Sequence, residues 1–270
     1  MNTLPIILES TLPELKHLGF RRYMAHPVLQ PWVQCYWVAQ QDSLPEQGFT
    51  ETLYPDGGTS LTFTFNQNQH PHLEFKATQN AMKVSFQHTV DAIGIRFNPV
   101  GAFALFGVDM NDLFNHDDAS AEFEKTFADL KDQLAQYTLT HSRLSLIESW
   151  LLTQLEQHNS SPGLLQHFIP RYLISDSNID EFVKHESISR RQLERKFQQE
   201  IGLSPAQLKQ LHRVKKARYF ISLNPLNSLT DVALDCGFYD QAHFIRNFQK
   251  VTGQTPGQYK TRKMSQKYNP

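Results

Sequence analysis

The chain has 270 residues, long enough for two domains of ordinary size, and its 40% hydrophobic and 20% charged composition is that of a folded, soluble protein. Its net charge of −1 hides a division: residues 171–270 carry 17 Lys and Arg against 9 Asp and Glu, whereas residues 1–170 carry 9 against 18. The opening MNTLPIILESTLPELK lacks the basic start and long apolar run of a signal peptide, and no stretch nears the ~18 uninterrupted apolar residues of a membrane span. Two cysteines, Cys35 and Cys236, without a Cys-x-x-Cys, exclude a zinc ribbon or a thioredoxin-like site. They fit two thiols in a reducing cytoplasm better than one disulfide.

In chain order, PWVQCYWVAQ (Pro31–Gln40) reads as the first clear strand, and ETLY before Pro55-Asp56-Gly57-Gly58 as a hairpin arm or adjoining strand. In that turn Pro presets φ, Gly permits positive φ, and Asp56 is simply a turn residue. LTFTF (Leu61–Phe65) alternates with period 2, as a half-buried strand does, and AIGIRF (Ala92–Phe97) is another strand, stopped at Asn98-Pro99. From about residue 121 the period changes. Phe123, Phe127, Leu130 and Leu134 mark an amphipathic helix, and Leu144, Ile147, Leu151, Leu152 and Leu155 mark a second, from Arg143 to about Gln157. These stripes pack either inside the monomer or against a second subunit. HNSSPG (His158–Gly163) is the best linker, dividing a domain at 1–162 from one at 163–270 that is all helix with short connections.

The helical part contains a repeat. RKFQQEIGLSP (Arg195–Pro205) returns as RNFQKVTGQTP (Arg246–Pro256), and each copy extends backwards into a helix, a turn and a second helix. Asn178 with Glu181, and Ser228 with Asp231, have capping-box spacing. Gly237 supplies the later turn, and Ser187 stands in its place in the earlier copy. Leu193 with Phe197, and Phe244 with Phe248, fall four apart and predict core faces. The opposite faces carry Arg190, Arg191, Glu194 and Arg195 in one copy and Gln241, Ala242, Ile245 and Arg246 in the other. Arg grips guanine O6 and N7 with two hydrogen bonds, and Gln grips adenine N6 and N7, so such faces suit the major groove. Charged helix faces are usually just solvated, but two copies in the basic part of the chain favour a reader. A 17-residue helix, Ala206–Ser222, separates the copies, with Pro205 at its first turn. At 1.5 Å per residue it makes a rod of about 25 Å, fit to hold two readers near the ~34 Å between successive grooves. On it, Arg213, Lys215, Lys216 and Arg218 either contact phosphate or are solvated.

GFYDQAHFIRNFQKVTGQTPGQYK (Gly237–Lys260) closely resembles the signature of AraC-type transcriptional regulators, and SISRRQLERKFQQEIGLSP (Ser187–Pro205) resembles the recognition region of their first helix-turn-helix. The resemblance spans about 100 residues. It implies that Arg191, Glu194 and Arg195 read bases in the first unit, and Gln241, His243 and Arg246 in the second. Ala242 and Ile245 depart from the polar residues common at such positions, and would either meet thymine methyls or leave that half-site loosely specified. YPDGGTSLTFTFN (Tyr54–Asn66) and IGIRFNPVGAFALFGV (Ile93–Val108) resemble a sensor-like domain found ahead of this reader in one AraC subgroup. That implies an α+β N-terminal domain, a small cupin-like β-barrel plus helices with an effector pocket. As partners it implies double-stranded DNA, RNA polymerase, a small-molecule effector and a second copy pairing through the sensor half, with no membrane and no cofactor.

Two further sets of residues each have two readings. His70, His72 and His88 form either a metal set, which would make the chain a cupin-like enzyme with an accessory DNA module, or a polar surface loop, the favoured reading. Arg96, alone on an apolar strand, either binds an anionic effector or pairs with an internal carboxylate. No Ser-His-Asp order, phosphate loop or paired carboxylates argue for catalysis.

Overall fold

In a computed structural model of the chain, the described residues are 8–11, 13–66, 70–115, 123–158, 163–174 and 179–268. Strands dominate to residue 97 and helices follow, as the sequence predicts. The strands are β1 (Leu8–Thr11), β2 (Arg21–Tyr23), β3 (Val33–Gln41), β4 (Phe49–Leu53), β5 (Thr59–Thr64), β6 (His72–Ala77), β7 (Met82–Phe86) and β8 (Val90–Phe97). Six form one sheet in the order β1-β2-β3-β8-β5-β6, and β4 pairs with β7 in a second. The strands flanking the Pro55–Gly58 turn therefore belong to different sheets, and the hairpin alternative for ETLY does not form.

Burial follows the sequence pattern. In β5, Leu61 and Phe63 are buried while Ser60, Thr62 and Thr64 are half-buried. In β8, between β3 and β5, Ala92, Ile93, Ile95 and Phe97 are all buried, which is why this strand is almost continuously apolar. Gly94 stands directly opposite Trp37 in the β3–β8 register, and a Cβ on it would lie 1.9 Å from the Trp37 indole. The indole occupies the space that any side chain at 94 would need.

Helices α1 (Gly101–Phe106), α2 (Met110–Asn115), α3 (Ala128–Leu134) and α4 (Thr140–Gln157) follow. The helix expected from about 121 is interrupted: residues 123–125 are helical, a turn at Thr126 and Phe127 follows before α3 begins, and residues 121 and 122 lie outside the described set. Phe123, Phe127, Leu130 and Leu134 are nevertheless all buried. Phe106, Phe123, Phe127 and Trp150 pack with ring centroids 5.0–5.8 Å apart, mostly edge-to-face or tilted. Leu144, Ile147 and Leu151 of α4 are buried in the same core, so the monomer itself accounts for that stripe. Arg143, which the sequence marked only as a helix start, is buried. It donates from Nη1 to Asp91 Oδ2 at 2.8 Å and from Nε to the Tyr137 carbonyl at 2.7 Å, and lies 3.5 Å over the Phe65 ring.

The remaining helices are α5 (Leu164–Ile174), α6 (Ile179–His185), α7 (Arg190–Ile201), α8 (Pro205–Leu223), α9 (Leu229–Asp235), α10 (Gln241–Thr252) and α11 (Pro256–Tyr268). The chain divides into two compact units, Met1–Glu51 with Gly58–Ala77 and Ser85–Gly202, and Thr52–Gly57 with Thr78–Val84 and Leu203–Pro270. Of the expected linker, His158–Gly163, residues 159–162 lie outside the described set.

Gly94→Ala is expected to destabilise the protein by about 1–3 kcal/mol through overpacking against the Trp37 indole. Urea denaturation of Gly94→Ala beside Gly94→Ala/Trp37→Leu checks this: the second change should recover most of the loss.

Candidate nucleic-acid interface

Both copies of the repeat close their first helix in the same way. In the first, the Ser187 amide donates to the Lys184 carbonyl and the Ile188 amide to that of Val183. In the second, Gly237 donates to Leu234 and Phe238 to Ala233. This paired bonding past the helix end requires a left-handed residue at the turn. Gly237 takes it at φ +74°, and Ser187 takes the same conformation at φ +54°. The Ser departure in the sequence therefore does not alter the turn, though a residue with a Cβ pays about 1–2 kcal/mol to sit there.

The reading helices start on side-chain caps. Ser189 Oγ accepts from the Gln192 amide at 3.2 Å while Gln192 Oε1 accepts from the Ser189 amide at 2.7 Å, a complete capping box. Asp240 Oδ1 accepts from the His243 amide at 2.6 Å. Of the caps expected for the preceding helices, Ser228 Oγ accepts from the Thr230 amide at 3.2 Å, with Asp231 in the first turn, and Asn178 lies outside the described residues. Leu193, Phe197, Phe244 and Phe248 are fully buried. Phe168 packs on Phe182 and Phe197, and Phe248 on Tyr259, so each reading helix is held by its inner face.

The outer faces are unequal. Arg190, Arg191, Glu194 and Arg195 of α7 are exposed, but Arg190 is braced to Glu194 at 3.3 Å and to Asp180 at 3.8 Å. Gln241, Ala242 and Arg246 of α10 are exposed, whereas His243 and Ile245 are half-buried. The His243 ring packs near Phe238, and its Nδ1 accepts from the Tyr239 amide at 3.4 Å, so it faces the turn as much as the solvent. Glu200, near the end of α7, is buried; burial pushes its carboxyl up while Lys196, 3.2 Å away, opposes that.

Three cations of α8, Lys215, Lys216 and Arg218, are engaged within the second unit. Lys215 Nζ lies 2.8 Å from Asp56 Oδ2, the Arg218 guanidinium stacks 3.6 Å from the Tyr54 ring centre, and Lys216 Nζ donates to the Asp235 carbonyl at 2.6 Å. Tyr54 Oη accepts from Arg262 at 2.7 Å and from Gln254 at 2.9 Å. Burial, with Lys215 and Lys216 nearby, holds the His212 imidazole below its usual range. Asp56 is thus an ion-pair partner as well as a turn residue, a role with no local signal 159 positions from Lys215. Neither cysteine is in a disulfide and both are buried, and burial pushes the Cys236 thiol up to about 11, far from a reactive thiolate.

The other sequence candidates lie apart. Arg96 Nη1 donates to Ser60 Oγ at 3.0 Å on the sheet. His70 contacts Asp132 at 3.3 Å on an exposed surface, His72 is exposed on β6, and His88 sits in a turn at φ +61°. Among the described residues no group of three or more His, Cys, Asp or Glu gathers to hold a metal, and no helix is long and apolar enough to cross a membrane.

A helix-turn-helix domain model matches residues 182–262, which begin in α6 and end in α11. The transcriptional regulator MtrA of Neisseria gonorrhoeae is 36% identical over 83 residues, 31% of this chain and 27% of that protein. The transcriptional activator RhaS of Escherichia coli is 32% identical over 113 residues, 42% of this chain and 40% of that protein. A crystal structure of a probable AraC family transcriptional regulator from Rhodopseudomonas palustris is 25% identical, covering 36% of this chain and 91% of that one at a TM-score of 0.33. Residues 182–262 are an AraC-type helix-turn-helix domain. The chain spans less than half the length of these two curated relatives. Ahead of the AraC-type domain, residues 21–117 match a domain of unknown function, DUF6597.

In the AraC-type domain, Asp240→Ala is expected to cost about 1 kcal/mol by freeing the His243 amide, and Asp240→Asn much less. Chemical denaturation of the two variants, with amide exchange at the start of α10, measures the difference.

Proposed function

We propose that this chain is a sequence-specific DNA-binding transcription regulator that reads two successive major grooves with α7 and α10. The observation that carries this reading is the repetition of one geometry. Twice, a left-handed turn and a capped helix anchored by buried Leu or Phe present Arg on an exposed face. Arg191, Glu194 and Arg195 are the base-reading set of the first unit, with Arg190 bracing it. Gln241 and Arg246 lead the second, with Ala242 and Ile245 meeting thymine methyls and His243 at the rim. The excess of Lys and Arg in residues 171–270 supplies attraction to phosphate, so affinity should fall steeply with salt.

Residues 1–162 would serve as the sensing and pairing domain and 163–270 as the reader, acting in the cytoplasm on RNA polymerase at the bound promoter. A small-molecule effector and a second copy of the chain complete the reading. The named relatives are regulators, in keeping with a chain that is not an enzyme.

Arg246→Ala should weaken binding to a selected target duplex by about 1–3 kcal/mol while leaving binding to random duplex nearly unchanged. Fluorescence anisotropy over a salt series reads both; equal losses on the two DNAs would show that Arg246 serves phosphate and not bases.

A further inference from the structure

The second reading helix is held by chain coded far ahead of it. The last carbonyls of a helix have no partner within it. In α10 the Gly253 amide takes that of Gln249, and two others are met from outside. The Ala81 amide donates to the Val251 carbonyl at 2.9 Å, and Asn80, with its amide nitrogen facing the helix, donates to the Lys250 carbonyl at 3.2 Å. Tyr54, directly after β4, holds the inner side. Its ring centre lies 6.1 Å from that of Tyr259, Tyr259 lies 5.5 Å from Phe248, and Phe248 lies 5.5 Å from Phe244, each pair edge-on. Tyr259, Phe248 and Phe244 are buried, so the four rings form a file from Tyr54 to the inner face of α10. The head of the file is pinned in turn. Arg218 stacks on the Tyr54 ring, Tyr54 Oη accepts from Gln254 and Arg262, and Asp56 pairs with Lys215. All of these residues belong to the second compact unit. The first reading helix rests on a separate set of rings, Phe197 on Phe168 and Phe168 on Phe182.

We infer that Tyr54 is a positioning residue for the second reader: through Tyr259 and Phe248 it sets the angle at which α10 presents Gln241 and Arg246 to a groove, and it leaves α7 untouched. The inference rests on the DNA-binding reading and names a residue, coded among the strands, that tunes one half of it. A close-packed interior transmits strain rather than absorbing it. Removing the Tyr54 ring takes an edge contact from Tyr259 and the stacking surface from Arg218, and leaves Gln254 and Arg262 without their acceptor. Gln254 lies just past the end of α10 and Arg262 on α11, so both flanks of the Tyr259 anchor loosen together. Hydrogen bonds to base edges weaken steeply as their angles drift, whereas attraction to phosphate does not depend on such alignment. A small rotation of α10 therefore costs specific contacts first. A state of the chain in which Tyr54 leaves the file alters reading by α10 alone.

The test uses the full-length chain and a duplex selected by the wild type from a random-sequence library, with affinity read by fluorescence anisotropy and coverage by hydroxyl-radical footprinting. Tyr54→Ala is expected to weaken binding to this duplex about tenfold and to random duplex less than about twofold, and to thin the footprint in one groove only. Arg246→Ala, which costs about tenfold in the wild type, should cost less than about twofold beside Tyr54→Ala, because the contact it removes is already lost. Arg195→Ala should cost the same with and without Tyr54→Ala. Tyr54→Phe keeps the file of rings and should bind within about threefold of the wild type. Should Tyr54→Ala lose its native circular dichroism, Tyr54→Leu, which fills most of the volume without a ring, takes its place. The inference is overturned, and the regulator reading stands, if Tyr54→Ala leaves the cost of Arg246→Ala unchanged or lowers that of Arg195→Ala as much. A loss from Tyr54→Phe as large as that from Tyr54→Ala overturns it too. If Arg246→Ala costs the wild type nothing on the selected duplex, reading by α10 itself fails, and the inference with it.

Discussion

Everything the interface can do depends on how each short helix is rotated about its own axis. Two large apolar side chains one turn apart fix that rotation, because both must face the same core. Leu193 with Phe197, and Phe244 with Phe248, are fully buried, and Arg195 and Arg246 consequently point outwards. The anchors are themselves braced by aromatic neighbours, Phe168 in the first unit and Tyr259 in the second. Losing an anchor of this size would cost several kcal/mol, more than any contact on the outer face contributes. The reading faces are thus by-products of packing, and their chemistry is free to vary while their direction is not.

Electrostatics then decides which exposed cations remain available. Arg190 is tied to Glu194 and Asp180, Lys215 to Asp56, and Arg218 and Arg262 to Tyr54. Most of these contacts are partly solvated, so they direct side chains more than they stabilise the fold. The pair between Arg143 and Asp91 differs, because the Arg side chain is 8% exposed and its Nε is satisfied by a carbonyl. It is structural and ties α4 to β8 within the first unit.

Local order was legible in the sequence wherever one short window determines it. The period-2 run at Leu61–Phe65, the apolar run at Ala92–Phe97, and the Leu/Phe pairs of the repeat all sit where their spacing requires. The turn at Ser187 was less legible, because whether a residue with a Cβ adopts positive φ is settled by the helix end it closes. The break at Thr126 and Phe127 was hidden for another reason: the apolar stripe stays intact across it, so the spacing carries no mark. Long-range partners left no mark at all. Nothing near Asp56 points to Lys215, nothing near Gly94 to Trp37, and Arg143 read as one more polar residue on a helix. At the interface, residue types and faces could be read, but not that His243 turns towards Phe238.

The second compact unit is drawn from three separate stretches, two short ones near the start of the chain and one long one at its end. Tyr54 is joined to Gln254 across 200 positions, and the Ala81 amide to the Val251 carbonyl. On a ribosome adding ~5–20 residues per second, Tyr54 emerges about 10–40 s before Gln254 has been made. That first stretch must wait, unpartnered, while the strands and helices coded in between are synthesised. Long-range closure of this kind slows folding more than it weakens the finished state, since its entropic cost grows only with the logarithm of the loop. The order of synthesis therefore makes the C-terminal half the last part of the molecule to acquire its full set of contacts.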